Sequence, residues 1–126
     1  MVRRVKNQLN DLKLPVNGSK ILLIGVAYKK DVSDTRESPA LDLLARLWEL
    51  GGDVMYHDPH VPQIALGERS LNSSELSPEI LQEADITVIL TDHAKLDVSL
   101  ILEHATAIFD ARNLTVGHNL KKIQRL

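Results

Sequence analysis

A chain of 126 residues, 44% of them hydrophobic and 25% charged, is long enough to bury the core of one domain and too apolar to be disordered throughout. Its formal net charge of -2 gives no whole-molecule attraction to nucleic acid or to an anionic membrane. It has no cysteine, so disulfides, thiolate metal sites and cysteine nucleophiles are excluded within these residues.

The start, Met1-Val2-Arg3-Arg4-Val5-Lys6, has charges with no apolar core behind them and does not read as a secretory signal. Val2, Val5, Leu9 and Leu12 recur at helical spacing, and Pro15 with Asn17-Gly18 ends the segment. So thin a stripe would pack poorly alone and suggests an element cut from something larger. Lys20 to Ala27 follows, with Ile21-Leu22-Leu23-Ile24 at its centre. This nearly continuous apolar run predicts a strand covered on both faces, and it is too short to span a bilayer. After a polar loop from Tyr28 to Glu37, Ser38-Pro39 predicts a helix start and Gly51-Gly52 its stop, with Leu41, Leu43, Leu44, Leu47, Trp48 and Leu50 between them.

Val54 to His57 reads as a second strand, and Val61 to Leu76 as mostly loop with room for a short helix. Ser77-Pro78 opens a helix, Ile86 to Leu90 is a third strand, Asp97 caps a further helix, and Ala107 to Phe109 is a fourth strand. The basic tail Lys121, Lys122 and Arg125 reads as a solvated helix end. Strands alternating with helices predict an α/β fold: a single Rossmann-like domain, its doubly wound parallel sheet carrying helices on both faces.

Ligands of such sheets bind beyond the carboxyl ends of the strands, so the loops there carry the candidate chemistry. They are Tyr28 to Ser38, His57-Asp58-Pro59-His60, Thr91-Asp92-His93 and Asp110-Ala111-Arg112-Asn113. All four hold a cation or a histidine close to the strand end, which suits an anion. A dinucleotide fingerprint G-x-G-x-x-G is absent after the first strand, where Gly25-Val26-Ala27-Tyr28-Lys29-Lys30 keeps only the first glycine. His57, His60 and His93 are too few and too scattered to predict a zinc site, and turn-capping aspartates explain their neighbours. Lys29 and Lys30 could be solvated lysines, Arg36 could brace its loop against Asp31, Asp34 or Glu37, and Arg112 could be a structural ion-pair partner.

The motifs decide between these readings. Gly25-Val26-Ala27-Tyr28-Lys29-Lys30-Asp31 and Asp34-Thr35-Arg36-Glu37-Ser38-Pro39 closely resemble the G-x-A-[FY]-K-x-D and D-x-R-x-S-P signature of the UDP-glucose/GDP-mannose dehydrogenase family, which marks its C-terminal UDP-binding domain. Tyr56 to Pro62 is similar to that family's Y-[DH]-P-x-V-P stretch, with one extra residue. Thr91-Asp92-His93 resembles the T-D-H of its N-acetylhexosamine branch, and Phe109 to Asn113 its final D-x-R-N.

The resemblance implies an NAD-dependent enzyme that oxidises the C6 alcohol of a UDP-sugar to the uronate in two hydride transfers, through a cysteine-bound thiohemiacetal and thioester. It implies an N-terminal NAD-binding domain and a central dimerising helix as partners, and a full-length homodimer or larger assembly in the cytoplasm. Residues 1–14 would be the tail of the central helix plus a linker, and 15–126 the UDP-sugar-binding domain. Lys29 is similar to the lysine that reaches the nucleotide sugar, Tyr28 to the aromatic beside the nucleotide, Arg112 to the arginine near the UDP, and Arg36 to the arginine facing NAD across the cleft. The catalytic cysteine belongs to the other domains, so this chain alone should be inactive, and no metal, nucleic acid or membrane is expected. The substrate leans toward a UDP-N-acetylhexosamine, with UDP-glucose as the alternative. A non-catalytic receiver-like or interaction module is the reading of a different class, opposed by lysines where a receiver would need an acidic cluster.

Overall fold

The computed structural model describes residues 2–26, 39–66, 68–91, 96–115, 117–118 and 120–125. Five strands form a parallel sheet in the order β2-β1-β5-β6-β7: β1 Lys20–Ile24, β2 Asp53–His57, β5 Ile86–Ile89, β6 Ile108–Asp110 and β7 Ile123–Arg125. Every pairing in it is parallel, with Ile21 opposite both Val54 and Ile86. Alternation along the strands sends side chains to two separate cores, as a sheet covered on both faces requires. Ile21 and Leu23 of β1 join Tyr56, Val88 and Phe109 on one face, under α1 (Val2–Asp11) and α2 (Pro39–Glu49). Leu22 and Ile24 join Ile89 and Ile108 on the other, under α3 (Pro78–Glu83) and α4 (Val98–His104).

The helix boundaries follow local chemistry. Ser77 accepts the Ile80 N–H at 3.2 Å and Asp97 the Leu100 N–H at 3.0 Å, so each satisfies one orphan donor of its helix. α1 stops where Lys13 turns left-handed (φ 61) and the Leu14 N–H bonds back to the Leu9 carbonyl at 2.9 Å, just ahead of Pro15. The thin stripe of α1 is well used: Val5 and Leu9 are fully buried, and Leu12 is left exposed. Gln8 adds a buried bond from its side-chain amide to the Ile108 carbonyl at 2.9 Å, and the Arg4 guanidinium lies 5.4 Å from the Phe109 ring centre. Arg4 also reaches the Arg125 carbonyl at the end of β7, whereas Gln8, one turn on, meets the start of β6. α1 therefore runs antiparallel to the strands, and its first turn lies at the sheet's carboxyl edge.

Two expectations are corrected. Residues 61–76 are not mostly loop: Gln63–Leu66 (β3) and Arg69–Asn72 (β4) form an antiparallel hairpin. Its Ile64, Leu66 and Leu71 pack on the α2 face, and Arg69 stacks 5.0 Å from the Trp48 ring. Four-residue strands with mostly exposed side chains show too little alternation to be read as such. The basic tail is not a helix end but the fifth strand. Ile123 is buried between β6 and α4's core, the Lys122 ammonium donates to the Ala105 carbonyl at 2.7 Å, and Arg125 donates to the Thr115 and His118 carbonyls.

Candidate functional site at the carboxyl edge of the sheet

The sheet's connections leave β1 in one direction, toward β2 by way of α2, and leave β5 in the other, toward β6 by way of α4. The carboxyl ends of β1 and β5 therefore flank the switch point, the place where an open α/β sheet has a crevice. The residues that follow them, 27–38 after β1 and 92–95 after β5, lie outside the described residues. Tyr28, Lys29 and Arg36, with Asp92 and His93, are among them. What the structure describes is a platform of strand ends and of the turns that follow β2 and β6.

Three features build that platform. Gly25 holds φ +86 and donates its N–H to the His57 carbonyl at 2.8 Å, ending the β1–β2 ladder. A Cβ at this position would stand 2.4 Å from the Thr91 Cβ, so the glycine lets the ends of β1 and β5 close on each other. In a dinucleotide fold the glycines of this turn leave room for a pyrophosphate. Here only the first of those glycines is present, so the chain's own turn lacks the fingerprint of that mode.

The second feature is Asp58, 1% exposed, just past β2. One of its oxygens accepts the His60 N–H at 2.9 Å and closes its own turn. The other accepts the Val26 N–H, also at 2.9 Å, across the gap to the β1 end. Its own N–H donates to Ser73 Oγ at 2.9 Å, while His57 Nδ1 donates to the Ser74 carbonyl at 2.8 Å, which assigns that ring's proton. Behind it Tyr56 is fully buried with its hydroxyl donating to the Val61 carbonyl at 2.8 Å. Burial first, and the Asp58 charge second, push the Tyr56 hydroxyl up to about 12.

The third is the turn after β6. Asp110 is fully buried, and its carboxylate accepts the Arg112 N–H at 3.0 Å, the Thr115 N–H at 2.8 Å and the Thr115 hydroxyl at 2.5 Å. Burial pushes this carboxyl up, but the bonds from the Thr115 hydroxyl and the backbone N–H groups outweigh it and hold it below the ordinary carboxylate range. Asn113 takes the left-handed conformation (φ 59) that its short amide side chain tolerates. Arg112, between the two, is exposed and has no ion-pair partner among the described residues. Its strand, β6, and the strand that leads to Lys29, β1, are the two neighbours of β5.

Sequence reasoning gave Asp58 a turn-capping role and missed its reach to Val26, which depends on strand order. It missed Thr115 as well, although a threonine five residues after a strand-ending aspartate is a usable signal. Among the described residues no three histidine, aspartate or glutamate side chains gather to hold a metal, and no helix is long and apolar enough to cross a membrane.

A doubly wound parallel sheet covered on both faces, with only the first glycine of a dinucleotide fingerprint, defines a Rossmann-like domain without the usual phosphate turn. Residues 22–117 match the family described as "UDP-glucose/GDP-mannose dehydrogenase family, UDP binding domain", and the chain belongs to that family. It is 33% identical over 97 residues to the UDP-N-acetyl-D-mannosamine dehydrogenase of Campylobacter jejuni, covering 74% of this chain and 23% of that protein. It is 33% identical over 128 residues to the enzyme of the same name from Methanococcus maripaludis, covering 95% of this chain and 28% of that protein. Among solved structures, the UDP-N-acetyl-mannosamine dehydrogenase Cap5O from S. aureus superposes with a TM-score of 0.69 at 28% identity, over 98% of this chain and 28% of that one. The chain thus spans about a quarter of the length of the curated relatives it matches.

Proposed function

We propose that this chain is the nucleotide-sugar-binding domain of an NAD-dependent UDP-sugar 6-dehydrogenase acting on a UDP-N-acetylhexosamine, whose C6 alcohol is oxidised to the uronate in two steps. The observation that carries the reading is the pairing of the family match with a carboxyl edge closed by Gly25 and Thr91. With no glycine cradle, recognition of a pyrophosphate falls to side chains on the flanking loops. Lys29, with Tyr28 beside it, and Arg112 are assigned to the UDP-sugar, and Arg36 to the NAD side of an interdomain cleft. Charge-assisted contacts of this kind are each worth roughly 1.5–3 kcal/mol, against about 0–1 kcal/mol for an exposed ion pair. The N-acetylhexosamine preference is supported by the two relatives of that activity and by Thr91-Asp92-His93.

In this reading NAD is held by a preceding domain, residues 1–14 end a central helix, residues 15–126 form the UDP-sugar domain, and the whole enzyme is a cytoplasmic homodimer or larger. α1 begins at the carboxyl edge, so a domain joined to it would start beside the site. The chain itself supplies no thiol and binds without turning over. The test is Lys29→Ala in the complete enzyme: nucleotide-sugar affinity should fall at least tenfold with NAD affinity unchanged. Equal losses for the two ligands would refute the assignment.

A further inference from the structure

We infer that Asp110 and Thr115 are positioning residues for Arg112: their buried bonds build the turn that leaves its guanidinium free for an anion at the carboxyl edge of the sheet. The inference rests on the assignment of Arg112 to the UDP-sugar given above and extends it to two fully buried residues.

An aspartate two positions before an arginine is an obvious ion-pair partner for it. Here the two do not pair: Asp110 accepts the backbone N–H of Arg112 at 3.0 Å, and the guanidinium has no ion-pair partner among the described residues. The other oxygen of Asp110 accepts the Thr115 N–H at 2.8 Å and the Thr115 hydroxyl at 2.5 Å, so both oxygens are engaged inside the protein. Burying a carboxylate is costly unless several donors meet it, and three do. The second arginine at this end, Arg125, is used differently. Its guanidinium donates to the Thr115 and His118 carbonyls at 2.5 and 2.7 Å and so ties down the far side of the same turn. From the sheet side, the Ala111 N–H bonds to the Ile89 carbonyl at 3.0 Å, which pins the turn to the last residue of β5. The turn is thus fixed at Ala111, Arg112 and Thr115, and between them Asn113 reverses the chain in the left-handed conformation. One arginine closes the turn and the other stands exposed beside β5, the strand that borders the switch point. That division leaves one positive charge for an anionic ligand, and a pyrophosphate is the anion of the assigned substrate. A guanidinium meets phosphate through two parallel N–H bonds, so its grip depends on the direction in which its peptide leaves the turn.

The test titrates UDP into the isotope-labelled 126-residue chain by NMR, at a temperature where circular dichroism shows each variant folded. Thr115→Val removes the hydroxyl but keeps the shape and the backbone N–H, and should weaken UDP binding about tenfold, the size of effect that follows from misplacing a positioned group. Thr115→Ser restores the hydroxyl but gives up a buried methyl; it should melt below the unaltered chain and yet bind UDP within twofold. In an Arg112→Ala background, where UDP already binds about tenfold more weakly, Thr115→Val should change affinity less than twofold, because the turn no longer carries the group it aims. In the unaltered chain UDP should slow hydrogen exchange of the Arg112 and Thr115 amides at least tenfold, a readout that survives if Thr115→Val does not fold. Unchanged affinity in Thr115→Val, affinity that follows melting temperature across the two Thr115 variants, a full further loss in the Arg112→Ala background, or amides indifferent to UDP would each overturn the inference. An unaltered chain that ignores UDP, or an Arg112→Ala chain that binds it as tightly as the unaltered one, would instead sink the reading of the site, and this inference with it.

Discussion

Replacing Gly25 with alanine separates two costs that usually arrive together. Gly25 and Gly18 have nearly the same backbone, φ +86 and φ +83, but a Cβ at Gly18 would meet nothing within 4 Å. Gly18→Ala should therefore cost only the left-handed penalty of about 1–2 kcal/mol. At Gly25 the added Cβ would lie 2.4 Å from the Thr91 Cβ, 2.9 Å from its Oγ1 and 3.0 Å from its backbone N. None of these is the free end of a flexible side chain, so the strand ends must separate, at about 1–3 kcal/mol more. At roughly 4 °C per kcal/mol for a chain of this size, Gly25→Ala should melt about 8–20 °C below the unaltered protein, and Gly18→Ala about 4–8 °C below. Urea unfolding of the three proteins, read by circular dichroism, gives the free energies directly. If Gly25→Ala is no more destabilising than Gly18→Ala, the ends of β1 and β5 are not in the contact described.

Two further predictions follow from buried ionisable groups. Because burial raises the Tyr56 hydroxyl from 10.0 to about 12, the folded state keeps its proton where the unfolded chain loses it. That contribution is complete below pH 10 and is lost as pH rises toward about 12, so Tyr56→Phe should unfold with a shallower alkaline slope while costing about 1 kcal/mol at pH 8. Urea midpoints at pH 8 and pH 11 check it. Asp110 is lowered, so its stabilisation is present above the unfolded value of about 3.9 and is lost as pH falls through the lower folded value. Asp110→Asn should cost about 1–3 kcal/mol near neutrality, since its amide would face the Thr115 donors, and the gap to the unaltered protein should narrow below pH 4. An equal gap at pH 3 and pH 7 in urea titrations would contradict the bonding described.

The parts of this fold legible in the sequence are those written in local chemistry. Ser77-Pro78 and Asp97 announce helix starts because capping is a matter of three or four residues, and Ile21 to Ile24 announces a central strand because both of its faces are buried. β7 and the hairpin were hidden for the opposite reason. Their three and four residues form strands only because Phe109 and Trp48 offer them a surface, and neither partner is near in sequence. The site divides in the same way. The motif singles out Arg112, whereas the turn that exposes it is built by Asp110, Thr115 and the left-handed Asn113 and is seen only in the fold. The bond from Val26 to Asp58 spans thirty-two positions and could be seen only once β1 and β2 were known to be neighbours.

Mapping of UDP on the labelled chain by amide chemical shifts tests the central claim most directly. Perturbations should concentrate at the carboxyl edge, on Gly25, Val26, Thr91, Arg112 and Asn113, and leave Gly18, Gly51 and Asp85 at the opposite edge unmoved. Shifts confined to that opposite edge, or to the outer faces of α3 and α4, would contradict it.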